Sequence, residues 1–150
     1  MFRVSSIILQ IPIPEDEARP CVTIIRATAY DTTKYKFEDI IRVGSMFGEI
    51  MMIEDDNSTV CGYMEIMDMI GVNATHLFNL QPELLKKFSV FADEAMPMRQ
   101  KGTCFINVPG PFEKGFNTIK SFFPEKMKSR VSYFMTFKAV TQIISLVSLI

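Results

Sequence analysis

Apolar positions along this chain follow two alternating rhythms. Cys21 to Ala27 is short, apolar and β-branched and stops before Asp31-Thr32-Thr33, which predicts a strand followed by a turn. Phe37, Ile40, Ile41, Phe47 and Met51 then recur at the spacing of one helix face, so residues 36–53 are predicted as an amphipathic helix. Asp55-Asp56-Asn57-Ser58 reads as a polar turn. Thr59 to Met69, apolar except for Glu65 and Asp68 and closed by Gly71, reads as a central strand.

Pro82 suits a first helical turn, and behind it Leu84, Leu85, Phe88, Phe91, Ala92 and Ala95 trace one helical stripe. Thr103 to Val108 is a further buried strand, left through Pro109-Gly110-Pro111. Phe112, Phe116, Ile119 and Phe123 are spaced as another apolar helix face, and Pro124 restarts the chain as a second short helix. Strands alternating with helices need crossover connections, so the predicted class is α/β with a largely parallel sheet. From Val131 to Ile150 the only charge is Lys138, but Ser132, Thr136, Thr141 and Gln142 fit a buried strand or helix better than a membrane anchor.

Composition narrows the function classes. A chain of 150 residues with 48% hydrophobic and 22% charged residues is sized and balanced for one packed domain. A net charge of -1 gives no global basic field, so nucleic acid is not an expected partner and any anion recognition must be local. Cys21, Cys61 and Cys104 are far apart and odd in number, which suggests neither a disulfide framework nor a zinc pattern and fits a reducing, cytoplasmic setting. The Asn-x-Thr sequons at Asn57 and Asn73 are read as chance, because Ser5 to Ile13 is broken by Pro12 and Pro14 and lacks a small-residue cleavage site.

Signals for catalysis are weak. No G-x-x-x-x-G-K-[ST] occurs, and no G-x-G-x-x-G follows a strand. In "GSMFG", residues 44–48, Ser45 falls one place early for a nucleophile elbow and lies inside a helical pattern. His76 is the only histidine and sits where a helix starts, which favours a structural or capping role. Glu65 and Asp68, three apart on a strand, point to opposite faces and cannot cooperate as a carboxylate pair. No catalytic residue, metal or cofactor is therefore assigned, and a small hydrolase using Ser45 or His76 ranks last.

A cationic constellation is present. In extended chain Arg99 and Lys101 share a face. In a helix Lys126 and Arg130, four apart, do too, with Phe123, Met127 and Val131 as the adjoining apolar stripe. Four such donors could hold one or two phosphates. The plainer alternative is an ordinary solvated surface.

Two stretches carry a family resemblance. One is "CGYMEIMDMIGVNATHLFNLQPELLKKF", with Asp68, Gly71, His76 and Pro82 in register; the other is "AMPMRQKGTCFINVPGPFEKGFNTIKSFFPEKMKSRV". Together they resemble the CRAL-TRIO lipid-binding domain, in particular the tocopherol-transfer and retinaldehyde-binding branch and its insect-type members, over about residues 8–132. The resemblance implies a three-layer α/β fold in which a helical gate, here Asn107 through Arg130, covers an apolar cavity. It implies a cytoplasmic carrier with no catalytic step and no cofactor, associating peripherally with membranes and holding one tocopherol, retinoid, sterol or phospholipid-like lipid. It also implies phosphatidylinositol bisphosphate binding at Arg99, Lys101, Lys126 and Arg130.

Position and apolar character then nominate Tyr63, Met67, Phe88, Phe91, Met96, Met98 and Phe116 as cavity lining, plain core packing being the alternative. Residues 1–132 are assigned to the lipid-binding domain and 133–150 to a divergent apolar tail, with the family's N-terminal helical domain absent. A rival expectation is a truncated membrane-surface adaptor that keeps the phosphoinositide cleft but carries no lipid.

Overall fold

The computed structural model describes residues 7–11, 19–73, 75–76, 81–110, 120–121, 123 and 125–133. Strands β1 (Ile8–Ile11), β2 (Cys21–Arg26), β3 (Tyr63–Asp68), β4 (Gln100–Ile106) and β5 (Val131–Tyr133) form a five-stranded sheet in chain order. β1 is an antiparallel edge on β2, and every other pairing is parallel. Parallel strands that succeed one another in chain order, joined by right-handed crossovers, put their connecting helices on one face. The fold is α/β with a largely parallel sheet.

Helix α1 (Phe37–Glu54) and the short α2 (Asp56–Cys61) join β2 to β3. The Lys36 N–H donates to Asp39 Oδ2 at 3.0 Å, and Glu38 and Asp39 place negative charge in the first turn, where the helix dipole favours it. Two expectations need correcting here. Asp55 to Ser58 is no plain turn: Asp55 is extended, and its side chain accepts from the Ser58 N–H at 3.2 Å and caps α2. The central strand therefore begins at Tyr63, because Thr59 to Cys61 are helical.

Gly62 ends α2 at φ +86, where the Tyr63 N–H donates to the Arg99 carbonyl at 3.0 Å. A Cβ on Gly62 would stand 2.3 Å from that same carbonyl oxygen, so both backbone angle and space require glycine.

Helix α3 (Pro82–Val90) has Pro82 at its start and runs into a wide π turn, Phe91–Ala95, before β4. Helix α4 (Glu125–Lys128) precedes β5. On the helical side Cys21, Met51, Tyr63 and Met98 form one buried cluster, with Phe47, Met52 and Met96 packed against it. On the other side Val22, Ile66, Cys104 and Ile106 form a second, with Ile24 against it. Each fully buried side chain of this kind contributes roughly 1.5–3 kcal/mol.

Strand β4 is irregular at both ends. It opposes Tyr63 with Gln100 and Met64 with Gly102, so Lys101 is the extra residue of a bulge. At its far end Asn107 leaves the sheet at φ 54, its amide donating to Asp68 Oδ1 at 2.8 Å. Of the expected gate, Phe112, Phe116 and Ile119 lie outside the described residues, as does the tail beyond Tyr133. Among the described residues no helix is long and apolar enough to cross a membrane.

Candidate functional site

Between the sheet and helices α1 and α3 lies a cavity of about 260 Å³. The α1 stripe that predicted the helix, Phe37, Ile40, Ile41, Phe47 and Met51, forms one wall. Leu85 and Phe88 of α3 and Phe123 from the connection between β4 and β5 also border it. Gly48 opens α1 to the cavity: a Cβ there would sit 2.8 Å from the Met96 Cε, so the bare glycine lets that flexible side chain lie against the helix.

Of the residues nominated as lining, Tyr63, Met67, Phe88, Met96 and Met98 border this cavity. Phe91 does not: it is 40% exposed. The α3 face that meets the cavity runs through Leu85, Phe88 and Ser89 toward buried Ala92, and Phe91, still in an ordinary α turn with its N–H on the Lys87 carbonyl, falls beside that face. Phe116 lies outside the described residues.

The sheet side of the cavity is not uniformly apolar. Parallel register sets Thr23 beside Glu65 and Glu65 beside Thr103, all three facing the cavity. Glu65 Oε2 accepts from Gln100 Nε2 at 2.9 Å and from Thr103 Oγ1 at 3.2 Å, while Gln100 Nε2 also donates to Thr103 Oγ1 at 3.0 Å. That triangle exists because of the bulge, which turns Gln100 and Thr103, three apart, toward one another.

Burial pushes the Glu65 carboxyl above the usual carboxylate range and outweighs the two hydrogen bonds that pull it down. Thr23 Oγ1 is buried without a hydrogen-bond partner. The sequence pattern sets Glu65 aside as half of a failed carboxylate pair and does not single out Thr23, Gln100 or Thr103. The one available signal is an acidic residue in the middle of an apolar central strand.

The four cations are differently placed from the sequence pattern. Arg99 is exposed and Lys101 half-buried, and the bulge interrupts the alternation that would put them on one face. Helix α4 ends at Lys128, whose ammonium pairs with Glu125 at 2.6 Å, so Arg130 lies past the helix and shares no helix face with Lys126. Instead Arg130 Nη1 donates to the Gln100 carbonyl at 2.7 Å, and the Arg130 carbonyl accepts from the Thr103 N–H at 3.0 Å. Gly102 permits this approach, since a Cβ there would meet the Arg130 carbonyl oxygen at 3.2 Å. Arg130 is thereby fixed beside the start of β4 next to Lys101, while Lys126 is exposed on α4.

Groups considered for chemistry are otherwise engaged. Ser45 Oγ donates to the Ile41 carbonyl of its own helix at 3.0 Å. The His76 ring meets Asn73 Oδ1 at 2.8 Å and packs edge-on to Tyr30, while Asn73 Oδ1 also caps the Thr75 and His76 amides. Burial, then the Asp55 carboxylate 2.9 Å away, push the Cys21 thiol up to about 12, and burial lifts Cys104 to about 11. These are inert thiols. Among the described residues no group of three His, Cys, Asp or Glu could hold a metal ion.

Residues 6–147 match the CRAL/TRIO domain. Clavesin-1 of Rattus norvegicus is 26% identical over 110 residues, which cover 73% of this chain and 31% of that protein. Clavesin-2 of Homo sapiens is likewise 26% identical over 110 residues, covering 33% of its length. The chain thus spans about a third of the length of the curated relatives it matches. The crystal structure of Sfh5 superposes with a TM-score of 0.61 at 14% identity, over 95% of this chain and 52% of that one, a likeness of fold.

Proposed function

This chain belongs to the CRAL/TRIO domain family, and on that premise we propose that it holds one hydrophobic lipid in its cavity and exchanges it with membranes, without a catalytic step. The carrying observation is the cavity of about 260 Å³ between sheet and helices, its helical walls apolar and aromatic. Methionines at Met67, Met96 and Met98 give it an adaptable lining suited to a tocopherol-, retinoid- or phospholipid-like tail. Such a cavity favours a carrier over an adaptor without cargo.

Transfer needs a trigger. Burying a tail is worth roughly 0.8 kcal/mol per methylene, but the membrane offers the same gain, so hydrophobicity alone cannot direct release. A phosphoinositide headgroup at Arg99, Lys101, Lys126 and Arg130 would supply the bias, provided it binds the open form better than the closed one. Arg130 supports this role, because its bond to the Gln100 carbonyl couples the segment before β5 to the basic start of β4. A cytoplasmic protein that visits membrane surfaces would work this way.

Co-sedimentation with vesicles containing phosphatidylinositol bisphosphate tests the reading on wild type and on Arg99→Ala with Lys126→Ala, alongside organic extraction of the purified protein. The expected result is binding that falls at least tenfold in the double variant, with a lipid extracted in stoichiometric amount. Equal binding by both proteins and no extracted lipid would reject the carrier.

A further inference from the structure

Three polar side chains stand in one row across the cavity face of the sheet, Thr23 on β2, Glu65 on β3 and Thr103 on β4, each beside the next in register. A polar row on the wall of an apolar cavity is costly unless something uses it. Thr103 and Gln100 both direct their donors at one Glu65 oxygen, Oε2, and no described residue donates to the other, Oε1. Thr23 is 5% exposed, borders the cavity, and its hydroxyl has no hydrogen-bond partner among the described residues. The row therefore offers the cavity a carboxyl oxygen beside a hydroxyl that can both donate and accept.

We infer that Thr23 and Glu65 form a polar-end site that takes the hydroxyl group of an otherwise apolar cargo, an inference that rests on the carrier reading above. A cargo hydroxyl can donate to Glu65 Oε1 and accept from the Thr23 O–H, which satisfies both groups at once. An alkane end leaves both unsatisfied. An anionic end would face the carboxyl, and among the described residues no ion pair reaches Glu65 to offset it. An ammonium end lacks an acceptor for the Thr23 O–H and would be stripped of water against apolar walls. The other titratable groups bordering the cavity are Arg26, Tyr30, Tyr63 and His76. Arg26 lies three residues beyond Thr23 along β2, exposed at the strand end and in register with Asp68, away from the Thr23–Glu65 row.

The experiment displaces diphenylhexatriene from the full chain with four competitors of equal length: decane, decanol, decylamine and decanoate. Decanol is expected to bind at least about tenfold more tightly than decane, the scale of one or two well-placed hydrogen bonds. In Thr23→Val, which keeps the shape of the side chain, and in Glu65→Leu the alcohol-to-alkane ratio should fall to about twofold or less. A wild-type ratio near one, a ratio unchanged in Thr23→Val, or tighter binding of decylamine or decanoate than of decanol would overturn the inference while leaving a lipid carrier standing. Failure of diphenylhexatriene and all four competitors to bind would overturn both.

Discussion

β2, β3 and β4 carry two rows of side chains, one on each face, built in the same register with opposite chemistry. On one face Val22, Ile24, Ile66, Cys104 and Ile106 pack into an apolar cluster at the middle of the strands. On the other, one residue along, Thr23, Glu65 and Thr103 stand in a row beside a cavity. β-propensity and strand length cannot explain the difference, since the same strands supply both rows. The contrast indicates that polarity is tolerated in this sheet where a cavity leaves room for a polar partner and a bulge swings Gln100 in to share the carboxyl.

The most severe way to break that contrast is to move the carboxyl across the sheet. Ile66→Glu should destabilise the chain by at least ~3 kcal/mol in urea unfolding, because an acid would be buried among the apolar side chains of Val22, Ile24, Cys104 and Ile106. Gly62→Ala attacks both faces together. Its Cβ would collide with the Arg99 carbonyl at 2.3 Å and lift β4 from β3, at an expected cost of roughly 2–3 kcal/mol and with loss of amide protection along both strands. Asn107→Ala removes the bond to Asp68 and strains the positive-φ exit, which should cost about 1–2 kcal/mol in the same assay.

Legibility in the sequence depends on how local each signal is. The strands at Cys21–Arg26 and Tyr63–Asp68 and the helix Phe37–Glu54 announce themselves by spacing within a single segment. β1 does not, being four residues of antiparallel edge just before Pro12. The Asp55 cap is readable, yet the apolar run after it argues for strand and outweighs it. The bulge at Lys101 and the choice of the Leu85/Phe88/Ser89 side of α3 depend on what the chain packs against, so period-based reasoning misplaces both Phe91 and the Arg99/Lys101 face. The pairing of Glu65 with Thr103 spans 38 residues and requires the register itself.

Acid titration sharpens the contrast more gently. A carboxyl whose folded value is raised holds its proton in the native state after the unfolded chain has released it near 4.5. Native protein therefore binds more protons in that window, and stability contributed by Glu65 falls as pH rises from about 4.5 through the raised value. Glu65→Gln should remove this slope, so the variant gains on wild type as pH rises toward neutral, as chemical unfolding at a series of pH values would read. The smallest effect is expected from Thr23→Val, which removes a hydroxyl that has no partner and should leave ligand-free stability unchanged or raised by up to ~1 kcal/mol.

The most direct test of a carrier with one polar-walled cavity labels the two faces against each other. A long-chain alcohol bearing a diazirine at mid-chain, delivered from vesicles and photoactivated, can be mapped on the full chain by residue-level mass spectrometry. Adducts are expected at Tyr63, Met67, Met96 and Met98, with none at Ile66, Cys104 or Ile106. Adducts spread evenly over both faces, or concentrated on the Ile66 side, would contradict cargo binding between the sheet and helices α1 and α3.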